Sequence, residues 1–216
     1  MKFAPIIYLT GMLLCILSAF MLVPALVDWY YNGDDWPAFI ASSLLTLFIG
    51  GGFYLSNRGG ATEHLELRQA FLLTNSAWIS IALCGSLPFL FSEINMSFTD
   101  AIFESTSGIT TTGATVIENL ESTSHGILIW RALLQWLGGV GIIVMALAIL
   151  PMLSIGGMQL LHMEHDDPYE KTIPKVNRFV LELFLLYVFL TGICGILYKL
   201  NGMSGFDSFV HAMTTI

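Results

Sequence analysis

The chain has 216 residues, of which 55% are hydrophobic and 11% charged. A soluble domain carries about 25% charge. Too few polar groups are present to cover a globule of this size, which excludes a soluble enzyme and points to a membrane-embedded chain. The formal charge of −8 argues against nucleic acid as a partner, since phosphate binding needs clustered Lys and Arg. Cys15, Cys84 and Cys194 all lie in apolar stretches and read as small buried hydrophobes, not as a disulfide framework.

Five stretches meet the requirement of roughly 20 apolar residues for crossing the hydrocarbon layer. They are Phe3 to Val27, Pro37 to Leu55, Gln69 to Ser92, Ala132 to Leu161 and Phe179 to Tyr198. Each must be helical, because an isolated strand in lipid would leave its backbone unpaired. Pro151 and the pair Gly156-Gly157 are expected to end the fourth helix early. The first span has too long an apolar run, and lacks the small-residue cleavage site, for a signal peptide.

Alternating spans place Lys2, Arg58, Arg68, Lys171, Lys175 and Arg178 on one side and Arg131 and Lys199 on the other. The bias predicts a cytoplasmic amino terminus in a multi-pass protein of the cell (inner) membrane. The outer side then holds Asp28, Asp34, Asp35, Glu93, Asp100, Glu104, Glu118, Glu121 and Asp207, an acidic surface that would concentrate cations. Arg131 reads as an interfacial anchor or a partner for an outer carboxylate. Trp29, Trp36, Trp130, Tyr30 and Tyr31 read as belt aromatics.

Between the third and fourth spans lies Ser97 to Thr115. Ser97 or Thr99 can cap a helix start, Asp100 suits its first turn and Gly108 is a plausible stop. About ten residues at 1.5 Å each make a helix of roughly 15 Å, about half the hydrocarbon thickness. Such a helix enters the membrane and must come back, with Thr110 to Thr115 as the return path. Backbone at that depth is tolerated where protein shields it or where it lines water. If Gly113 adopts a conformation closed to other residues, the carbonyls of this strand can turn inward and replace the water shell of a potassium ion. The helix would aim its negative carboxyl end at the same ion. The fold class expected is thus an all-α membrane protein with five transmembrane helices and re-entrant pore helices.

A second copy of the helix can be laid on the first, with Asp207 on Asp100, 107 residues later. On this alignment the chain stops inside a second pore helix before its filter, as a fragment of a longer protein would.

Three other patterns carry less. His162, Glu164, His165, Asp166 and Asp167 have metal-like spacing but no second ligand pair, and read as a solvated loop or a partner-docking surface. Gly138-Gly139-Val140-Gly141 lies inside an apolar helix, not between a strand and a helix, so its glycines, like Gly50-Gly51-Gly52, serve close packing. His211 reads as structural. The few His and acids form no Ser-His-Asp set, and neither catalysis nor a resident cofactor is expected.

Leu87-Pro88-Phe89-Leu90-Phe91-Ser92-Glu93, Phe98 to Val116, Leu134 to Val144, Ile149-Leu150-Pro151 and Gly156 to Leu160 together resemble the Trk/Ktr/HKT superfamily of potassium transporters, specifically the Trk-type membrane subunit of bacteria. The resemblance implies four helix–pore loop–helix repeats around one pore, preceded by two extra helices. Residues 1–56 would be those two helices, 69–153 the first repeat, 154–176 a cytoplasmic connection and 177–216 a truncated second repeat. It implies filter carbonyls at Thr110, Thr111, Thr112, Gly113 and Ala114, with K+ held at Thr111, Thr112 and Gly113. In the family a glycine at the first filter goes with potassium preference and a serine with sodium permeation; Gly113 is the glycine type. It also implies a homodimer, a cytoplasmic nucleotide-binding regulatory subunit and a gating loop in the third repeat. The function expected is potassium uptake. The alternatives are a secondary solute carrier with broken helices and a non-transporting membrane scaffold.

Overall fold

The computed structural model describes residues 3–59, 67–120, 123–149 and 172–216. Within them the chain is helical: α1 Ala4–Tyr30, α2 Trp36–Ser56, α3 Leu67–Gly85, α4 Leu87–Phe91, α5 Phe98–Ile109, α6 His125–Ile149, α7 Thr172–Leu200 and α8 Gly205–Thr215. Five segments are long and apolar enough to cross a membrane: Ala4–Tyr30, Trp36–Ser56, Arg68–Phe91, His125–Ile143 and Val180–Leu200. The expected stop at Pro151 and Gly156-Gly157, the His162–Asp167 cluster and the 154–171 part of the expected connection lie outside the described residues, as does Glu121.

Side chains that a soluble protein would hide face outward here. Phe48 is 80% exposed and Leu200 77%. In a bilayer that surface contacts acyl chains, so apolar exposure carries no penalty. The interior is selected instead by close contact and by small polar bridges. Gly11 and Gly50 lie where α1 and α2 cross, and a Cβ on Gly11 would fall 2.7 Å from the Gly50 carbonyl oxygen. Farther along, the Ser43 hydroxyl donates to the Ser18 carbonyl at 2.8 Å. Thr10 and Ser76 hydroxyls meet at 3.4 Å between α1 and α3. Gly51 and Gly52 face open space, so one glycine of the triplet, not three, serves the crossing.

Packing divides the chain into two compact units, Met1–Gly138 and Gly139–Ile216. The boundary falls inside α6. The first unit centres on the fully buried side chains of Phe39, Phe89, Trp130, Leu14, Met21, Ile127 and Leu134. Trp130 is therefore not a belt aromatic: its indole N–H donates to the Gly85 carbonyl at 3.0 Å, and its ring meets Phe39 edge-on. Trp29, Tyr30, Tyr31 and Trp36 are exposed. In the second unit α8 folds back on α7, with the Tyr198 and Thr215 hydroxyls 2.9 Å apart and Gly195 against Ala212.

The third span is broken at Ser86. Pro88 in the first turn of α4 has no N–H to give to the preceding turn, and its ring displaces the carbonyl there. The fourth span begins at His125, not at Ala132. The charge on Arg131 does not mark a boundary, because Glu104 neutralises it within the fold.

Gly11→Leu or Gly50→Leu is expected to force α1 and α2 apart and destabilise the protein by about 1–3 kcal/mol. Gly51→Leu is expected to stay within about 0.5 kcal/mol of the native protein. Thermal unfolding in detergent checks both.

Candidate functional site

Local sequence determines how α5 begins. Ser97 sits at the N-cap with extended backbone, and its hydroxyl oxygen accepts the Asp100 N–H at 3.2 Å. The same hydroxyl donates to the Asp100 carboxylate at 2.7 Å. The device fills an orphan donor of the first turn and puts a negative charge at the positive helix end. It recurs at α8, where Ser204 accepts the Asp207 N–H at 3.1 Å and donates to its carboxylate at 2.7 Å. Ser97 and Ser204, like Asp100 and Asp207, are 107 residues apart.

The end of α5 differs from the expected stop at Gly108. The helix runs through Gly108 to Ile109, and Gly108 instead lets Leu134 of α6 approach; a Cβ there would fall 3.0 Å from the Leu134 Cβ. Termination is a Schellman reversal. The Thr111 N–H donates to the Gly108 carbonyl at 2.9 Å and the Thr112 N–H to the Ser107 carbonyl at 3.0 Å. Thr111 takes a left-handed φ of 58°. The same reversal ends α1 with Asn32 at φ 56° and α7 with Gly202 at φ 92°. Asn and Gly suit that position. A β-branched threonine does not, so Thr111 is held there by its surroundings.

Those surroundings centre on Ser107. Its carbonyl accepts from the N–H of Thr112 and, at 3.3 Å, from that of Gly113. Its hydroxyl donates to the Ala114 carbonyl at 2.6 Å. One buried serine thus grips three consecutive residues of the return strand. Gly113 is left-handed at φ 76°, with its nearest neighbour, the Gln135 side chain, almost 4 Å from a would-be Cβ. Backbone conformation, not crowding, is what reserves the position for glycine. The Thr110 hydroxyl donates to the Thr106 carbonyl and lies 2.9 Å from that of Thr112. Residues 110–116 are exposed, whereas Ala101, Glu104, Ser105, Ser107, Gly108 and Ile109 behind them are buried.

Glu104 supplies the second anchor. It is 2% exposed. One carboxylate oxygen accepts the Thr115 hydroxyl and the Val116 N–H, each at 3.1 Å. The other pairs with the Arg131 guanidinium of α6. The structure thus selects the carboxylate partner for Arg131 over the interfacial anchor. It also removes Glu104 from the acidic outer surface, together with Asp28 and Asp35, both buried. A carboxylate on the buried stripe of a short helix, and an arginine near an otherwise uncharged span, were the signal: an ionised group at such depth needs a partner. Ser107 left no comparable mark, since a serine in a helix interior is common.

Helix α6 closes the site from behind. A Cβ on Gly138 would drive into the Ile109 carbonyl oxygen, so α6 touches the last turn of α5 backbone to backbone. Among the described residues no group of His, Cys, Asp and Glu could hold a metal ion. Oxygen ligands at the strand would have to come from main-chain carbonyls and hydroxyls.

A family described as TrkH, cation transport protein, matches residues 36–216. The chain belongs to the TrkH cation transport family. It is 41% identical over 219 residues to the Trk system potassium uptake protein TrkH of Escherichia coli strain K12, covering all of this chain and 45% of that protein. It is 37% identical to the Trk system potassium uptake protein TrkI of Halomonas elongata, covering all of this chain and 44% of that protein. The crystal structure of the potassium transporter TrkH from Vibrio parahaemolyticus superposes with a TM-score of 0.85 at 39% identity, over 99% of this chain and 42% of that one. The chain thus spans a little under half the length of the relatives it matches. It is a multi-pass membrane protein of a transport family, not an enzyme.

Removing one partner of the Glu104–Arg131 pair strands a buried charge. Arg131→Met and Glu104→Ala are each expected to destabilise by about 3–5 kcal/mol. The double variant should recover part of that loss, and thermal unfolding of the three proteins in detergent measures the coupling.

Proposed function

We propose that this chain forms part of a potassium uptake transporter and supplies one filter strand, Thr110 to Ala114, with dehydrated K+ held at Thr111, Thr112 and Gly113 by backbone carbonyls. The observation that carries the reading is the exposed reversal after α5, pinned from behind by Ser107. Potassium selection needs oxygens that are close, numerous and held in place without collapsing on the ion. A strand whose N–H groups are already spent on the helix it leaves has carbonyls free for a cation. Thr112 and Gly113 meet that condition directly, since both N–H groups bond to Ser107. Ala114 differs: its carbonyl already accepts the Ser107 hydroxyl, so its part is to terminate the filter and not to face the ion alone. The carboxyl end of α5 adds a favourable partial charge for any cation there.

The potassium named for the relatives from Escherichia coli and Vibrio parahaemolyticus supports the same substrate here. The repeated Ser-x-x-Asp cap at α5 and α8 supports a parallel duplication. In this reading residues 1–56 precede the first repeat at 69–153, residues 154–176 connect it, and 177–216 begin the second. The bias of Lys and Arg supports a cytoplasmic amino terminus. A homodimer and a cytoplasmic nucleotide-binding regulatory subunit complete the proposal.

Gly113→Ser tests it. An L-residue at this φ costs about 1–2 kcal/mol, which rotation of the adjoining peptides would relieve by moving the carbonyls. The variant belongs in a full-length transporter carrying this chain in place of the segment it matches. Potassium-over-sodium preference in flux assays is expected to fall by about tenfold, or about 1.4 kcal/mol. An unchanged preference would overturn the filter assignment.

A further inference from the structure

We propose that Asp28, in the last turn of α1, and Asp35, at the N-cap of α2, are positioning residues that clamp the amino-terminal end of α6 and thereby hold the filter strand in register. The proposal rests on the potassium-filter reading above.

Both carboxylates are buried, Asp28 completely and Asp35 at 5% exposure, and their partners are far away in sequence. Asp28 accepts the Gly126 N–H at 3.1 Å through one oxygen and the Asp35 N–H at 2.8 Å through the other. Asp35 accepts the Glu93 N–H at 2.8 Å and the Ser124 hydroxyl at 2.6 Å. The turn is shaped around this pair. The reversal at Asn32 brings Gly33 over Asp28, where a Cβ would fall 2.5 Å from its carboxylate oxygen. Gly126 is equally constrained, because a Cβ there would fall 2.8 Å from both the Asp28 Cβ and the Phe39 ring.

Gly126 lies in the first turn of α6, where backbone N–H groups have no partner in their own helix and the dipole favours negative charge. Asp28 therefore caps α6 from a different helix. Asp35 holds the segment immediately before α6, through Ser124, and the α4–α5 connection, through Glu93. Both connections that flank the pore helix and its strand are thus tied to one turn of the amino-terminal hairpin.

From that grip α6 runs as one helix past the whole site. Arg131 meets Glu104, Leu134 packs on Gly108, Gln135 lies beside Gly113, and Gly138 abuts the Ile109 carbonyl. A helix shifts as a rigid element and transmits a displacement at its end to its middle. Losing the clamp should move the backing of the strand, not merely weaken the fold.

Hydrogen-bond chemistry makes the test sharp. Both partners of Asp28 are backbone donors. Asn at 28 keeps one acceptor oxygen and sets an N–H group against another donor, so Asp28→Asn should fail. Asp35 faces one backbone donor and one hydroxyl, and a hydroxyl can also accept. Asp35→Asn should therefore retain both bonds, whereas Asp35→Ala loses them.

The variants are placed in the full-length transporter carrying this chain. Uptake is normalised to inserted protein, and both potassium-over-sodium preference and half-saturating potassium concentration are read. Asp28→Asn and Asp35→Ala are expected to lower the preference by roughly fivefold, a size common for coupling through packed elements, with Asp35→Asn restoring it. A change in the amount of inserted protein alone, with native preference and native half-saturation, overturns the proposal. So does failure of all these variants to accumulate, which would make the pair a folding element only. Should Asp28→Asn alone fail to accumulate, the contrast between Asp35→Ala and Asp35→Asn decides. If the unsubstituted protein shows no potassium preference, or Gly113→Ser leaves it intact, the filter reading fails instead. Loss of preference in Gly113→Ser but not in Asp28→Asn removes only the clamp.

Discussion

A helix that enters an apolar layer and stops there must find partners for its last carbonyls inside the protein, since lipid offers none. The end of α5 answers this with the chain that follows it. The N–H groups of Thr110, Thr111, Thr112 and Gly113 return to the carbonyls of Thr106, Ser107 and Gly108. One set of bonds thus satisfies the helix, reverses the chain and leaves the carbonyls of Thr111, Thr112 and Gly113 without helical donors. The left-handed conformations of Thr111 and Gly113 follow from it. For Gly113 that conformation is free; for Thr111 it is a strain of about 1–3 kcal/mol that the neighbouring contacts must over-determine.

The rest of the first unit can be understood as support for that reversal. Ser107 and Glu104, three residues apart on one buried face of α5, bind successive parts of the strand. Arg131 then ties Glu104 to α6, and Gly138 lets α6 approach the backbone of α5 directly. Charges occur at this depth only where each is satisfied. Glu104 accepts from an arginine, a hydroxyl and a backbone N–H. Among the described residues Asp28 and Asp35 accept from backbone N–H groups and one hydroxyl, an arrangement in which helix α6 supplies part of the compensating positive potential.

Much of this was legible in the sequence. Spans follow from apolar runs, and the half-length helix follows from a Ser-x-x-Asp cap at one end and too few residues to reach the other side. The run Thr110 to Thr115 combines small hydroxyl residues with a glycine between apolar spans, a pattern that marks it as a return path. Residue type and position along a span leave the contacts of a side chain open. A tryptophan near a span boundary suits an aromatic belt, yet Trp130 fills the core. Glycine often ends a helix, yet Gly108 lies inside α5 and serves a close contact with Leu134. The alternation of spans puts Asp28, Asp35 and Glu104 on the outer side but does not say whether they face water, and in the fold all three are buried.

Local patterns decide which segments are helical and how each begins, because the bonds concerned join residues within a turn or two. That much the amino-acid order determined alone, and it extends to the recurrence of the same cap 107 residues on. Partnerships between distant residues are another matter. Arg131 lies 27 positions from Glu104, Ser124 lies 89 from Asp35, and Gly126 lies 98 from Asp28. Desolvation requires that each buried charge be met, but it does not say by whom. Only the packing of α1, α2, α5 and α6 chose the partners, because burial and bond geometry are properties of the assembled helices and of no single segment.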